Sequence, residues 1–421
     1  MKKRVGNRVL MLLENACYPK DTRVRLEAHA LIEAGCEVTL ICPAEKGQPM
    51  REVRDGLRLL RFPQPGAGGG LLGYVWEYAY SMVAVFVLSI VVFFKRGFDV
   101  IHANNPPDLF VLIAVFYKLL GKRLIFDHHD LAPEMYYARF DGKGNRFVYR
   151  VLLFFEWLSC RVADHVIATN ESYKALEQQR DGVPADRITV VRNGPELERF
   201  EGATPSAELR KKAGTIIGYL GVMGFQDGVD YLLRAIKHLI EDLGRTDVYC
   251  LLLGTGDAWD DLKALTSELD LDDYVWFSGY VTGEKLRSCL ATADILAAPE
   301  PKNAYNDRST MIKMMEYMAV EKPIVAFDLT EHRVSAEDAA LYAQPNDTLD
   351  FARQIAVLMD DPALGRRMGS LGRRRVESCL AWSYQRRCLV EAYGKLDVPV
   401  RGLQPETPEK QKPAAIPAAT E

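Results

Sequence analysis

Paired cysteines are missing from this sequence: its eight cysteines (17, 36, 42, 160, 250, 289, 379 and 388) are scattered, with no C-x-x-C pair. The seven histidines form no cluster at zinc-ligand spacing. These absences argue against a disulfide framework and a zinc site, and reduced thiols in a cytosol are expected. A strong charge of either sign is missing too. The formal net charge of −4 offers no field for capturing DNA or RNA, so no nucleic-acid partner is expected. Near the start, the only apolar run is Val9 to Leu13, shorter than a signal-peptide core, and secretion is not expected.

What is present is a long, evenly composed chain. Its 421 residues exceed one ordinary core, and with 48% hydrophobic and 26% charged residues they suit two globular domains. Strand-like runs alternate with helical periods: "RVLMLL", the helix "DTRVRLEAHALIEAG", then "EVTLICP" make a β-α-β unit. The rhythm continues through 99–103, 123–130, 165–170 and 188–194, six strands in all. Residues 196–213 carry no apolar period and read as a linker. Alternation then restarts at "TIIGYLG" (215–221) and runs through 248–256, 275–281, 294–300, 323–327 and 339–345. The expected layout is a first domain over 1–200, a second over 201–380, a helix over 381–397 that crosses back to the first, and a disordered tail over 398–421. Doubly wound sheets bind ligands outside the carboxyl ends of their strands, so the cleft between the domains is the expected site.

One segment departs from this pattern. Tyr78 to Phe94, "YAYSMVAVFVLSIVVFF", is nearly all apolar, is followed by Lys95 and Arg96, and falls short of the roughly 20 residues a spanning helix needs. It reads as a buried helix, as one lying in a bilayer surface, where the basic, aromatic segment Arg146 to Arg161 would assist it, or as a span, which the strand rhythm resuming at "FDVIHANNPPDLF" disfavours.

Chemistry concentrates in "NDRSTMIKMMEYMAVEKPIVAF" (306–327). A helix starting at the cleft presents free N–H groups near Ser309, Thr310 and Met311, an anion site. Lys313 lies one turn in and Glu316 two. A carboxylate at that depth suits the vicinal hydroxyls of a ribose whose phosphates reach back to the helix start; equally, it pairs with Lys313 on a surface face.

That line, preceded by "APEP", resembles the nucleotide-sugar motif of glycosyltransferase family 4, retaining enzymes of the GT-B fold. So do "YPKDTRVRLEAHALIEAGCEVTLICP", "DVIHANNPPDL", "FDHHDLAPE", "VRNGPELERF", "GYLGVMGFQDGVDYLLRA" and "LLLGTG", in order over nearly the whole chain. The resemblance implies an α/β architecture of two facing Rossmann-like domains. It also implies transfer of a sugar from a UDP- or GDP-sugar to an acceptor hydroxyl, with no metal or other cofactor. The acceptor implied here is lipid-linked or a glycan precursor of the cell surface, such as lipopolysaccharide, met by a peripheral protein on the inner face of the cytoplasmic membrane. Two other classes share the scaffold: a sugar-nucleotide-binding protein without catalysis, and a nucleotide-sugar 2-epimerase.

The resemblance assigns His129 to the donor sugar near its anomeric carbon, and leaves His128 to loop structure. Gly221 and Gly224 either let backbone approach phosphate or form only a turn, while Tyr280 and Val281 stand near the place of the base or pack in the core. Arg23 and Arg25 meet the diphosphate or an anionic acceptor, or else form plain surface pairs. Two departures stand out. The family's first Glu falls at Arg308, beside Asp307, so Asp307 or Glu300 must supply that acid. The usual Arg and Lys clamp reads Val222 and Asp227, so Lys313 and Arg308 must supply the positive charge.

Overall fold

The computed structural model describes residues 6–64, 71–140 and 142–402. Two sheets organise it. The first holds β1 (Arg8–Leu12), β2 (Glu37–Ala44), β3 (Arg51–Arg54), β4 (Leu57–Pro63), β5 (Val100–Asn104), β6 (Arg123–His128), β7 (His165–Ala168) and β8 (Ile188–Val190), in the order β3-β4-β2-β1-β5-β6-β7-β8. All pairs are parallel except β3 with β4. The second holds β9 (Thr215–Leu220), β10 (Val248–Leu253), β11 (Val275–Phe277), β12 (Ile295–Ala298), β13 (Ile324–Phe327) and β14 (Ala340–Ala343), ordered β11-β10-β9-β12-β13-β14 and wholly parallel. Both reverse strand order at one crevice, between β1 and β5 and between β9 and β12, the binding place of a doubly wound sheet.

The expected six strands of the first domain become eight because β3 and β4 form a hairpin outside the β-α-β rhythm. Its turn, Asp55-Gly56, has φ of 50° and 81°. Such a pair of left-handed residues matches strand twist, and the dipeptide itself was a readable hairpin signal.

The apolar segment is a helix, Leu71–Lys95, linking β4 to β5. Both strands belong to one parallel sheet, so the helix is a crossover and not a membrane span. Ser81, Val85, Ser89 and Val92 are buried, whereas Trp76, Val83, Val87 and Phe94 are exposed at four- and seven-residue spacing. Only 22% of its most apolar window, Trp76–Lys95, is buried, so a simple core helix does not describe it. Helix Phe110–Leu119 adds exposed Leu112, Phe116 and Leu119, and helix Arg146–Val162 adds Phe147, Phe154 and Trp157.

The helix Trp382–Gly394 follows the second domain yet packs into the first, where Leu389, Ala392 and Tyr393 join the core containing Val9, Val24 and Val38. The chain beyond it also holds to that domain. Val398 is buried and the Arg401 N–H donates to the Ala34 carbonyl at 2.8 Å, so residues 398–402 are ordered where a tail was expected. The remainder of that tail, 403–421, lies outside the described residues.

Candidate active site

At the carboxyl end of β6 two neighbouring histidines have opposite surroundings. His128 is buried, with Nδ1 2.9 Å from Glu177 Oε1 and Nε2 3.6 Å from Glu156 Oε2. Both of its nitrogens face carboxylates, so it holds structure. His129 turns the other way, as strand geometry requires of adjacent residues. Its Nδ1 lies 3.1 Å from Asp127 Oδ2, and its backbone N–H donates to Asn105 Oδ1 at 2.8 Å. Burial pulls its pKa down, and the hydrogen bond and charge of Asp127, with Asp130, outweigh it, so the net direction is up. An Nδ1–H given to Asp127 leaves Nε2 for a ligand. The next residue, Asp130, accepts a hydrogen bond from Tyr305 of the second domain at 3.0 Å, which places this loop at the junction of the domains.

Arg23 does not serve a ligand. It is buried: Nε and Nη2 donate to the two Asp127 oxygens at 2.8 and 2.6 Å, and Nη1 donates to Val191 O at 3.0 Å and Asn193 Oδ1 at 2.7 Å. Glu27 Oε1 adds a contact at 3.1 Å. The expectation of a diphosphate contact or a surface pair gives way to a buried bidentate pair, whose partner lies 104 residues along the chain. Arg25 reaches Glu196 Oε2 at 2.6 Å, a half-buried pair with the interdomain segment. Among the described residues one group could gather round a cation, Glu27, His102 and Asp127. The Arg23 guanidinium already bridges its two carboxylates.

In the second domain the helix begins at Ile312, three residues later than expected, and ends at Ala319. Met311 caps it with extended backbone and no side-chain hydrogen bond. Ser309 and Thr310 serve the domain junction instead: Ser309 Oγ lies 3.0 Å from Tyr173 Oη, and Asn170 Nδ2 donates to Thr310 Oγ1 at 2.9 Å and to Arg308 O at 2.8 Å. Arg308 folds back, donating to Ala304 O at 2.9 Å. Asp307 caps another helix, accepting from Thr330 N at 3.0 Å and Thr330 Oγ1 at 3.1 Å, so its oxygens are committed. Glu300, the alternative acid, is fully buried and pairs with Lys313.

Lys313 and Glu316 are the side chains left beside the crevice. Lys313 Nζ also donates to Tyr219 Oη at 3.0 Å and sits 4.3 Å from that ring's centre. Burial lowers its pKa, and Glu300 and Asp227 outweigh that, so the net direction is up. A Cβ on Gly221 would stand 3.0 Å from the Lys313 Nζ, and a Cβ on Gly254 would stand 1.9 Å from Gly221 O. Both glycines therefore permit backbone approach at the tips of β9 and β10. Gly224 donates to Asp227 Oδ2 at 2.9 Å, which closes the loop. Val222 is exposed, and burial pushes Asp227 up to about 6.

Glu316 is half-exposed and makes no hydrogen bond through its carboxylate among the described residues. Burial pushes it up to about 7, against Arg199 and Lys313. At the end of β11, Tyr280 is exposed, while the Val281 side chain enters the core and leaves only its backbone available. The sequence reading missed Glu14, a buried carboxyl just after β1 at the first crevice, pushed up to about 7 by burial despite Ser81. Its signal was an acid directly after an apolar strand, with no cation near it in sequence.

Two doubly wound domains, each with its crevice at the point where strand order reverses, define the class, and comparison with known proteins places the chain within it. Residues 21–194 match the glycosyl transferase 4-like domain and residues 214–361 the glycosyl transferases group 1 domain. The chain belongs to this family of GT-B glycosyltransferases and is an enzyme of that type. It is 22% identical over 351 residues to the 2-deoxystreptamine glucosyltransferase of Streptomyces kanamyceticus, covering 80% of this chain and 88% of that one. Sucrose-phosphate synthase from Thermosynechococcus elongatus has a similar structure, with a TM-score of 0.75 at 20% identity over 93% of this chain and 99% of that one. So does Anabaena Alr3699/HepE in complex with UDP and glucose, with a TM-score of 0.69 at 17% identity over 92% of this chain and 99% of that one.

Proposed function

We propose that this glycosyltransferase moves a sugar from a UDP- or GDP-sugar to a hydroxyl of a lipid-linked or glycan acceptor of the cell surface, with retention of anomeric configuration. The observation that carries the donor reading is the carboxylate of Glu316, unpartnered among the described residues and one turn beyond the Lys313 that stands beside Gly221. Glu316 accepts the ribose hydroxyls. Lys313 meets the diphosphate through the space that Gly221 leaves without a side chain, aided by the free N–H groups at Ile312 and Lys313. The Val281 backbone faces the base, with Tyr280 beside it, and the UDP held by the Anabaena enzyme favours such a ligand. Lys313 and the helix start neutralise the leaving group, so the reading needs no metal.

His129 donates from Nε2 to the donor sugar or its phosphate near C1. The bond from C1 to the diphosphate oxygen breaks while the bond to the acceptor oxygen forms on the same face. The acceptor's proton passes to the departing phosphate, so no protein nucleophile is needed. Glu14 lies on the acceptor side.

The acceptor reading rests on the exposed apolar faces of Leu71–Lys95, Phe110–Leu119 and Arg146–Val162. A helix at headgroup level, with Lys95 and Arg96 at its end, would bring the first crevice to a lipid-linked substrate on the inner face of the cytoplasmic membrane.

A panel of UDP- and GDP-sugars with a membrane-lipid extract as acceptor tests this. Nucleotide release that requires the extract, and a product with the donor's anomeric configuration by NMR, are expected. No release from any donor, or an inverted product, contradicts the proposal.

A further inference from the structure

Behind His129 runs a buried chain of polar contacts that ends in the returning helix. Four elements meet there. Helix Thr22–Glu33 supplies Arg23 and Glu27, β5 supplies His102, β6 supplies Asp127, and helix Trp382–Gly394 supplies Tyr393. Glu27, His102, Asp127 and Tyr393 are fully buried.

The contacts are specific. Tyr393 Oη lies 2.7 Å from His102 Nδ1. His102 Nε2 lies 3.3 Å from Glu27 Oε2 and 3.9 Å from Asp127 Oδ2. Asp127 Oδ2 is the oxygen that meets His129 Nδ1 at 3.1 Å. Oxygens facing both ring nitrogens suit an imidazolium at His102, whose Nδ1–H would donate to the tyrosine oxygen. Burial opposes that charge, and Asp127 and Glu27 outweigh it, raising the ring to about 9. Arg23 and His102 then balance Asp127 and Glu27, and His129 shares the edge of that balance with Asp130.

We infer that Tyr393 is a positioning residue for His129, acting through His102 and Asp127, so that the helix returning from the second domain sets the proton affinity of the histidine in the first. Tyr393 supplies the one acceptor for the His102 Nδ1–H in a site closed to water. Without it the charged ring is disfavoured, and Asp127 and Glu27 lose a counter-charge. His129, bonded to the same Asp127 oxygen, then sits in a more negative field and holds its proton to higher pH. The other charged groups facing this path, Arg23 and Asp130, stay unchanged, and Cys36 beside Tyr393 stays a neutral thiol.

The inference rests on the proposed function only for its kinetic arm. Its test is a pH titration of the histidine ring signals of the full chain by NMR, with His129 assigned through His129→Gln. Tyr393→Phe should raise the His129 midpoint by about 0.5 pH unit or more, the size expected when a nearby charge is lost. Tyr384→Phe should not, since that hydroxyl on the same helix bonds Glu377 O at 3.0 Å instead. Should Tyr393→Phe not fold, His102→Gln removes the charge while keeping an amide toward Glu27, and must raise the midpoint at least as far. An unchanged His129 titration in either folded variant overturns the inference. In the kinetic arm, the alkaline limb of turnover should move up with the NMR midpoint. A limb that stays put while the midpoint moves refutes the part of His129 in transfer and leaves the path from Tyr393 standing.

Discussion

The crevices of the two domains share a strand order and treat charge in opposite ways. In the first, every donor of Arg23 has an acceptor, and Asp127 is held well below the usual carboxylate range because Arg23, His102 and His129 outweigh its burial. In the second, Lys313 pairs with Glu300 and donates to Tyr219, and Glu316 makes no side-chain hydrogen bond among the described residues. Groups satisfied by the protein hold the fold. A carboxylate left without a hydrogen bond beside a crevice, as at Glu316, awaits a ligand's hydroxyls. The contrast recurs between neighbours in sequence, His128 against His129 and Asp307 against Glu316.

The largest effect should come from breaking the saturated side. Arg23→Met leaves Asp127 and Glu27 buried without their bidentate cation and with His102 alone to face them, a loss of about 3–5 kcal/mol of stability. Denaturant unfolding measures it; a stability within about 1 kcal/mol of the wild type would mean the pair is not buried as described. Next is the lysine of the unsaturated side. Lys313→Met with Glu300→Gln removes both charges of that pair and keeps the interior neutral. Binding of a nucleoside diphosphate should weaken by about 1.5–3 kcal/mol while that of the nucleoside is unchanged. Equal losses for the two ligands would remove Lys313 from the phosphate. The smallest effect on stability belongs to the outer apolar face. Val83→Asn, Val87→Asn and Phe94→Ser together should stay within about 0.5 kcal/mol per site in stability and abolish cosedimentation with anionic vesicles. Val85→Ala, on the inner face, should reverse that pattern by lowering stability and sparing vesicle binding.

Much of the fold was legible because a β-α-β rhythm is a local property. Hydrophobic period and turn residues gave twelve of the fourteen strands, and the missed pair closes on Asp55-Gly56, where the rhythm breaks. In the site, ordered motifs that resemble a known family singled out His129, Lys313 and Glu316, and the structure puts His129 at the carboxyl end of β6 and the other two on the helix Ile312–Ala319. The site was not legible at Arg23 or Asp307, because what a polar side chain bonds across the fold leaves no mark on its neighbours in sequence. Tyr393 is hidden for the same reason: its partner His102 lies 291 residues away.

The carboxylate of Glu316 is the group on which the donor site most directly depends. Calorimetric titration of UDP into wild type and Glu316→Gln, from pH 6 to pH 8, isolates it. Its carboxyl is raised to about 7 in the free protein. The ionised form is the one that accepts ribose hydroxyls, so wild-type affinity should rise with pH through that range and level off above it. The Gln variant should bind more weakly by about 1.5–3 kcal/mol at pH 8, lack the part of the pH dependence that Glu316 supplies, and unfold at no lower a temperature, because it is spared the cost of ionising a buried carboxyl. Equal affinity in the two proteins at pH 8 would contradict the ribose role, and with it the reading of the second crevice as the donor site.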